Sequence, residues 1–213
     1  MYSTILFDLD GTITNSEEGI IRSVEYALEK CGIHEYGRES LLRFIGPPLR
    51  QSFQEYFGMT PEEADRATSL YRERYAPVGK FECTLYPGIK ELLEKLHRMG
   101  RTVILATSKP ENFAGEILDH FGLTGCFDLI GGAVMDGSRD TKESVLRYIL
   151  DTGKVTGDAV MVGDTRFDME GAAAVGLPAI GVAYGFGSRE ELVKGGALAV
   201  ADDVQQLGRL LGV

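Results

Sequence analysis

The segment Thr4-Ile5-Leu6-Phe7-Asp8-Leu9-Asp10-Gly11-Thr12 places two acidic residues and a glycine directly after a short apolar run. The run is typical of a strand that is buried on both faces of a parallel sheet. Asp8 and Asp10 are two residues apart, so in an extended chain their side chains point the same way. Two adjacent carboxylates repel each other, and a divalent cation would relieve that repulsion. Asp and Gly are also common where a strand meets a solvated loop, so the rest of the chain has to distinguish the two interpretations.

The composition is that of an ordinary globular protein, with 213 residues, of which 44% are hydrophobic and 25% charged. The net charge of −10 argues against binding to nucleic acid and to anionic membranes. Three cysteines stand far apart without a C-x-x-C pair, which indicates reduced thiols in a cytoplasmic protein. No apolar run reaches membrane-spanning length, and Asp8 interrupts the first one, which argues against a signal peptide. We therefore expect a cytoplasmic monomer or homodimer.

Two parts of the chain differ in their predicted secondary structure. Residues 15–81 predict one helix after another, and we expect them to form a helical cap. Helix-start signals within this part are Asn15 with Glu18, and Thr60-Pro61 with Glu63. Residues 1–14 and 82–213 instead predict alternating strands and helices, which is typical of a doubly wound, Rossmann-like parallel α/β core. Ligands of such sheets bind at the carboxyl ends of the strands.

Polar side chains follow three of the predicted strands, at the end where a ligand would bind. They are Asp8 and Asp10 after the first strand, Thr107, Ser108 and Lys109 after the strand at 102–106, and Asp164 after the strand at 159–162, with Lys142 at a neighbouring helix start. The sequence therefore predicts one crevice that gathers carboxylates, hydroxyls and lysines.

These residue types suit the transfer of a phosphoryl group. A carboxylate can attack phosphorus and form an aspartyl-phosphate, and we assign this role to Asp8 because its position in the strand is the more rigid. Asp10 is placed to give a proton to the leaving oxygen and later to take one from water. A metal ion held by Asp8, the Asp10 carbonyl and Asp164 would allow one anion to meet another.

Four further residues are candidates for binding the substrate. Thr107 offers a hydroxyl, and Ser108 offers a backbone amide at a predicted helix start. Lys142 supplies a positive charge against the phosphate and the nucleophile. Arg50 follows the stiff turn Gly46-Pro47-Pro48 and is a candidate contact for a second anionic group. Simpler interpretations stay open, because Thr107 and Ser108 could cap a helix and the basic residues could be solvated.

With these motifs the chain resembles the haloacid dehalogenase superfamily over essentially its full length, and within it the phosphatases whose cap is inserted after the first motif. The matching motifs are Asp8-Leu9-Asp10-Gly11-Thr12, Thr107, Lys142 and Gly163-Asp164-Thr165-Arg166-Phe167-Asp168. The resemblance implies a mobile helical cap, Mg2+ as cofactor, and hydrolysis through an aspartyl-phosphate on Asp8. It also implies that Asp164 binds the metal, and that Asp168 either binds it or supports the residues that do.

Within that branch, three strings are similar to those of phosphoglycolate phosphatase-type proteins. They are Ile45-Gly46-Pro47-Pro48-Leu49, Leu85-Tyr86-Pro87-Gly88 and Tyr184-Gly185-Phe186-Gly187-Ser188. The third motif departs from the pattern, because Lys142 does not stand in the Lys-Pro string that is frequent in the family. This variant resembles members described as 5′-nucleotidases or as phosphatases without an assigned substrate. We therefore expect a phosphatase that acts on a small phosphorylated metabolite, with a 5′-nucleotidase as the alternative to a phosphoglycolate phosphatase.

Other activities share parts of this pattern. Asp10 argues against the dehalogenase branch, and the first cap helix offers only Lys30 for the imine that a phosphonatase needs. A sugar phosphomutase shares all four motifs and stays open. Two alternatives are not enzymes. The inserted helices argue against a phospho-accepting signalling receiver, and the intact motifs argue against a binding module.

Overall fold

The computed structural model describes residues 2–213 and separates them into two compact units. We call residues 2–15 together with Leu85–Val213 the core unit, and Ser16–Thr84 the cap unit. The sequence predicts domain boundaries at 14/15 and 81/82, and the two compact units divide at 15/16 and 84/85. That the two segments act as separate domains stays a prediction. Within residues 2–213, every helix is too short or too polar to cross a lipid bilayer.

The core unit is built on a parallel sheet. In chain order the strands are β1 (Thr4–Phe7), β2 (Thr14–Asn15), β3 (Thr84–Leu85), β4 (Thr102–Pro110), β5 (Leu129–Ala133), β6 (Ala159–Gly163), β7 (Ala179–Val182) and β8 (Ala199–Ala201). Six of them pair in parallel in the order β5-β4-β1-β6-β7-β8. The short strands β2 and β3 pair with each other, and the sequence does not predict them.

Strand β1 lies in the middle of the sheet, between β4 and β6. Its residues are fully buried, as the apolar run predicts. Leu6 pairs with Ile104 of β4 and with Met161 of β6. The ladder extends to Asp8, whose N–H donates to the Val162 carbonyl at 2.9 Å. The carboxyl ends of three adjacent strands therefore meet around Asp8.

Helices cover both faces of the sheet. In chain order the helices are α1 (Glu17–Lys30), α2 (Arg38–Leu42), α3 (Leu49–Phe57), α4 (Pro61–Tyr75), α5 (Ile89–Arg98), α6 (Glu111–His120), α7 (Lys142–Asp151), α8 (Arg166–Ala174), α9 (Arg189–Lys194) and α10 (Val204–Leu211). Leu6, Ile104 and Met161 form one apolar cluster with residues of α7, α8 and α9. Ile5 and Phe7, whose side chains point to the opposite face, are equally buried. The predicted doubly wound α/β class is confirmed.

The cap unit is helical, with α1 to α4 and a short 3-10 turn at Gly79–Phe81. Helix α4 begins as predicted: Thr60 and Glu63 exchange the two hydrogen bonds of a capping box, and Pro61 is the first helical residue. The capping box predicted at Asn15 is wrong, because Asn15 ends β2 and α1 begins only after Ser16.

Candidate active site

Three carboxylates converge at the carboxyl ends of the central strands. Asp8 directly follows β1, Asp164 directly follows β6, and Asp168 lies in the first turn of α8. Each offers one carboxylate oxygen, and these three oxygens lie within 4.8 Å of one another. Asp164 and Asp168 are 0% and 1% exposed. The structure therefore brings together three of the acids that the sequence predicts to bind a metal; we call them the acidic cluster.

Lys142 binds two carboxylates of the acidic cluster. It is the first residue of α7 and is buried. Its Nζ lies 2.8 Å from Asp8 Oδ1 and 2.8 Å from Asp168 Oδ1, and it donates to the Ala106 carbonyl at 2.7 Å. Burial disfavours the charged lysine, but Asp168 and Asp8 outweigh it and raise the pKa of Lys142. The Lys142 ammonium is therefore surrounded by one carbonyl and two carboxylate oxygens of the chain.

Asp168 also fixes the start of its own helix. Its Oδ2 accepts hydrogen bonds from the N–H and the Oγ1 of Thr165, both at 3.0 Å, while its Oδ1 faces Lys142. Both oxygens therefore have partners within the chain, and Asp168 ties Lys142 to the loop that carries Asp164.

The negative charge of the acidic cluster is only partly balanced. Burial raises the pKa of Asp8 to about 6; Lys142 opposes this rise. The charges of Asp168 and Asp10 add to it. Burial likewise raises the pKa of Asp164 well above its usual value, with Asp168 and Asp8 contributing. Hard oxygen donors that repel one another suit a divalent cation, so the donor set fits the Mg2+ that the resemblance implies.

Asp164 is held by donors from two loops. The N–H of Phe186 donates to Asp164 Oδ2 at 2.8 Å, and Thr12 Oγ1 donates to Oδ1 at 3.4 Å. The hydroxyl of Tyr184 donates to the Thr12 carbonyl at 3.1 Å, which ties the loop after β7 to the loop after β1. Sequence reasoning missed Phe186 because a main-chain donor leaves no side-chain signal.

Glycines allow these loops to approach Asp164. Gly11 has a φ of +80°, and a Cβ at this position would overlap the Asp164 carboxylate. A Cβ at Gly185 or Gly187 would overlap atoms of Asp164 as well. Two closely spaced glycines after a strand indicate a close backbone approach, and this was the available signal for the loop after β7.

Replacing Gly11 with alanine is expected to destabilise the protein more than the same change at Gly153. Both glycines have positive φ, which costs a residue with a side chain roughly 1–2 kcal/mol. Only Gly11 faces a buried neighbour, whereas a Cβ at Gly153 would meet open space. Overpacking adds about 1–3 kcal/mol at Gly11. Urea unfolding of the two variants measures this difference, and equal losses of stability would show that Asp164 does not constrain position 11.

Lys109 binds Asp10, a pairing that sequence reasoning missed. Its Nζ lies 2.9 Å from Asp10 Oδ2, and the two side chains are 5% and 13% exposed. The Asp10 carboxylate is thus held by this lysine, apart from the acidic cluster. The sequence predicts that the strand ends at Ala106, whereas β4 continues to Pro110 after a register shift. The polar residues that follow the apolar part of the strand concealed this continuation.

The sequence predicts a helix over 110–121, close to the observed α6, but its placement of the Ser108 amide at the entry of that helix is wrong. Thr107 and Ser108 lie within β4, and α6 begins only at Glu111. Thr107 is buried, and its Oγ1 accepts a hydrogen bond from the Lys109 N–H at 3.2 Å. The Ser108 amide therefore does not stand at a helix N-terminus. That Thr107 and Ser108 bind the phosphate stays a prediction.

Arg50 lies on α3 in the cap unit. Its Nε is 2.6 Å from Asp65 Oδ1 on α4, and its side chain is 52% exposed. The ion pair gives Arg50 a partner within the cap unit, and its contact with a substrate stays a prediction.

Comparisons with known proteins identify relatives of this chain. A family model described as haloacid dehalogenase-like hydrolase matches residues 5–182. The chain is 46% identical over 192 residues to a 5′-nucleotidase of Pseudomonas aeruginosa, and this match covers 90% of this chain and 87% of that protein. It is 36% identical to the tyrosine-protein kinase PtkA of Mycobacterium tuberculosis, covering 98% and 72% of the two chains. It is 33% identical to a phosphoglycolate phosphatase of Rhodospirillum rubrum, covering 100% and 92%.

The same likeness holds for solved structures. A crystal structure described as a predicted phosphatase from Clostridium acetobutylicum has a TM-score of 0.95 and 44% identity, and the match covers 100% of both chains. Together with the nucleotidase and phosphoglycolate phosphatase relatives, it confirms the predicted enzyme class, a phosphoric monoester hydrolase. Because the family model spans most of the sequence, the chain belongs to the haloacid dehalogenase-like hydrolase family.

Proposed function

We propose that this chain hydrolyses small phosphomonoesters with the help of Mg2+, through an aspartyl-phosphate formed on Asp8. One observation carries the proposal: the carboxylate at the end of the central strand shares a buried cluster with two other acids and is held by Lys142. A carboxylate fixed in this way is oriented before the substrate arrives, which is what a nucleophile needs.

We place Mg2+ at Asp8, Asp164 and the main-chain carbonyl of Asp10, with Asp168 beside them. The carboxylates of the acidic cluster supply hard oxygen donors, which are the ligands that magnesium prefers. When bound, the cation would neutralise charge on the phosphoryl group as the anionic nucleophile approaches. Asp168 supports this arrangement through its contacts with Lys142 and Thr165.

In the first half of the reaction, an oxygen of the Asp8 carboxylate attacks phosphorus. The bond between phosphorus and the ester oxygen breaks, and its electron pair passes to that oxygen. Asp10 supplies the proton that turns the leaving group into an alcohol. Lys142 keeps Asp8 in place, and because its ammonium is surrounded by oxygens of the chain, it acts on the phosphate through its charge. Thr107 and Ser108 bind the phosphate oxygens.

In the second half, a water oxygen attacks the phosphorus of the aspartyl-phosphate, and the water gives a proton to Asp10. The bond between phosphorus and the Asp8 oxygen breaks, and its electron pair returns to the carboxylate. Inorganic phosphate then leaves, and both aspartates have regained their starting protonation states.

The substrate class that we favour is a nucleoside 5′-monophosphate. The 5′-nucleotidase relative is 46% identical to this chain and the phosphoglycolate phosphatase relative 33%. The third motif, in which Lys142 is not followed by proline, points the same way. Phosphoglycolate is the second candidate, supported by the Tyr184–Ser188 string. We propose that residues 15–81 act as a cap that selects the substrate, and that Arg50 contacts the substrate.

A panel of phosphate esters tests this proposal. We expect phosphate release with Mg2+, and a kcat/KM about tenfold or more higher for a nucleoside 5′-monophosphate than for phosphoglycolate. The reverse order would make phosphoglycolate the substrate. Isomerisation of a sugar phosphate would indicate a phosphomutase, and phosphorylation of a tyrosine peptide by ATP would indicate a kinase like the PtkA relative. Binding without turnover of any ester would refute the proposed hydrolysis.

A further inference from the structure

We propose that Lys109 is a positioning residue that holds one oxygen of Asp10 and leaves the other oxygen for proton transfer. The inference rests on the proposed function, in which Asp10 is the general acid and base. Its starting point is the ion pair between Lys109 Nζ and Asp10 Oδ2 at 2.9 Å, in which both side chains are largely buried. A charge-assisted hydrogen bond of this kind fixes the orientation of a carboxylate.

The position of Lys109 in the sheet brings its side chain to Asp10. Lys109 belongs to β4 and lies between Ala106 and Pro110, where the pairing of β4 with β5 shifts register. Its N–H donates to Thr107 Oγ1 at 3.2 Å. Gly132 of β5 packs so closely that a Cβ there would lie 2.8 Å from the Lys109 carbonyl oxygen. The Thr107 hydrogen bond and the close packing of Gly132 therefore hold the backbone of Lys109 within this irregular part of β4.

The two oxygens of Asp10 differ in their surroundings. Oδ2 is bound by Lys109. Among the residues that the structure describes, Oδ1 is buried and has no hydrogen-bond partner. Two other buried carboxylate oxygens of this crevice, Asp8 Oδ1 and Asp168 Oδ1, each have the Lys142 ammonium at 2.8 Å. Because buried polar atoms nearly always have a partner, we infer that Asp10 Oδ1 receives its partner with the reaction. Oδ1 then faces first the leaving oxygen of the ester and later the attacking water.

Lys142 does not take this role. Its ammonium is surrounded by Asp8, Asp168 and the Ala106 carbonyl. The two buried lysines of the site therefore contact different aspartates: Lys142 contacts the nucleophile Asp8, and Lys109 contacts Asp10, the general acid and base. Lys109 transfers no proton itself: Asp10 Oδ1 gives its proton to the leaving oxygen as the ester bond breaks, and later accepts one from water.

The experiment compares two esters whose leaving groups need different help. A nucleoside 5′-monophosphate leaves as an alcohol and depends on the proton from Asp10, whereas p-nitrophenyl phosphate leaves as a stable phenolate. The parameter is kcat/KM, which reports the steps up to the aspartyl-phosphate. In Lys109→Met we expect kcat/KM to fall on the order of 10²-fold for the nucleotide and only a few-fold for p-nitrophenyl phosphate. Lys154→Met, at an exposed lysine, is the matched control and should equal the wild type.

Two further variants keep the test decisive. Lys109→Arg retains a charged donor and should recover most of the nucleotide activity. Lys109→Gln removes the charge but keeps a polar side chain. If Lys109→Met does not fold, the two esters are compared in Lys109→Gln instead. The increase in unfolding temperature caused by Mg2+ should match that of the wild type in each folded variant, which shows that the metal site is intact.

The outcomes separate the inference from the function on which it rests. Equal losses with both esters, or no loss with either, would overturn the positioning role while the wild type still hydrolyses both. A loss that Lys109→Arg does not recover would also overturn it. Failure of the wild type to hydrolyse either ester would refute the proposed function, and the role of Lys109 with it.

Discussion

Asp8→Asn is expected to abolish phosphate release, with kcat/KM falling on the order of 10⁴-fold or more. The amide of asparagine has no negatively charged oxygen and cannot form an acyl phosphate that water then hydrolyses. The other groups of the site would still bind the ester, so KM should change much less than kcat. Steady-state release of phosphate from the best ester of the panel measures both parameters.

The same substitution is expected to leave the protein folded. Asp8 lies beside two other acids, and burial raises its pKa to about 6, so the charged form is disfavoured. A neutral amide removes that charge and nearly preserves the shape of the side chain, which offsets the loss of one partner of Lys142. Asp151→Asn, the same change at an exposed acid of α7, is the control for both turnover and thermal unfolding.

The intermediate gives an independent measure of the nucleophile. In Asp10→Asn the aspartyl-phosphate should accumulate from p-nitrophenyl phosphate, because its leaving group needs no proton from Asp10 whereas the base that activates water is missing. Peptide mass spectrometry after an acid quench should then find the phosphoryl group on Asp8. The double variant with Asp8→Asn should carry none. Near-normal turnover in Asp8→Asn, or a phosphoryl group on another residue, would contradict the assignment.

The sequence predicted the parts of the fold and site that depend on strong local patterns. The apolar run before Asp8 is typical of a strand that is covered on both faces, and β1 lies in the middle of the sheet with all its residues buried. Because parallel strands share one carboxyl edge, residues far apart in the chain were expected to meet there. Asp8, Asp164 and Asp168 do meet, and Lys142 reaches two of them.

The rest depended on tertiary contacts that local patterns do not encode. The continuation of β4 past Ala106 depends on its pairing with β5, which resumes at Pro110 after an irregularity, and it carries Lys109 to Asp10. The Phe186 amide that binds Asp164 belongs to the main chain, so residue identity gives no direct sign of it. The misplaced cap of α1 has the same cause, since Asn15 is drawn into β2 by its pairing with β3.

Removal of divalent cations is expected to abolish turnover, and addition of Mg2+ is expected to restore it. The acidic cluster holds three carboxylates against the single ammonium of Lys142. An anionic ester would add further negative charge to this site, so the approach of substrate to Asp8 depends on a cation. Phosphate release after treatment with a chelator, then with added Mg2+, measures the effect. Turnover that persists without metal would contradict the proposed cofactor.

Binding of Mg2+ can be separated from catalysis by unfolding, because a ligand that binds only the folded state stabilises it. At about 100 times its Kd, Mg2+ should stabilise the wild type and Asp151→Asn by about 2.7 kcal/mol. Asp164→Asn should gain little, because it lacks a buried ligand whose position Phe186 and Thr12 fix. Without metal, the same variant should be at least as stable as the wild type, because burial raises the pKa of Asp164 and therefore disfavours its charge. An equal gain in Asp164→Asn and the wild type would place the bound Mg2+ elsewhere on the chain, and lower stability without metal would show that the Asp164 charge is satisfied by the protein alone.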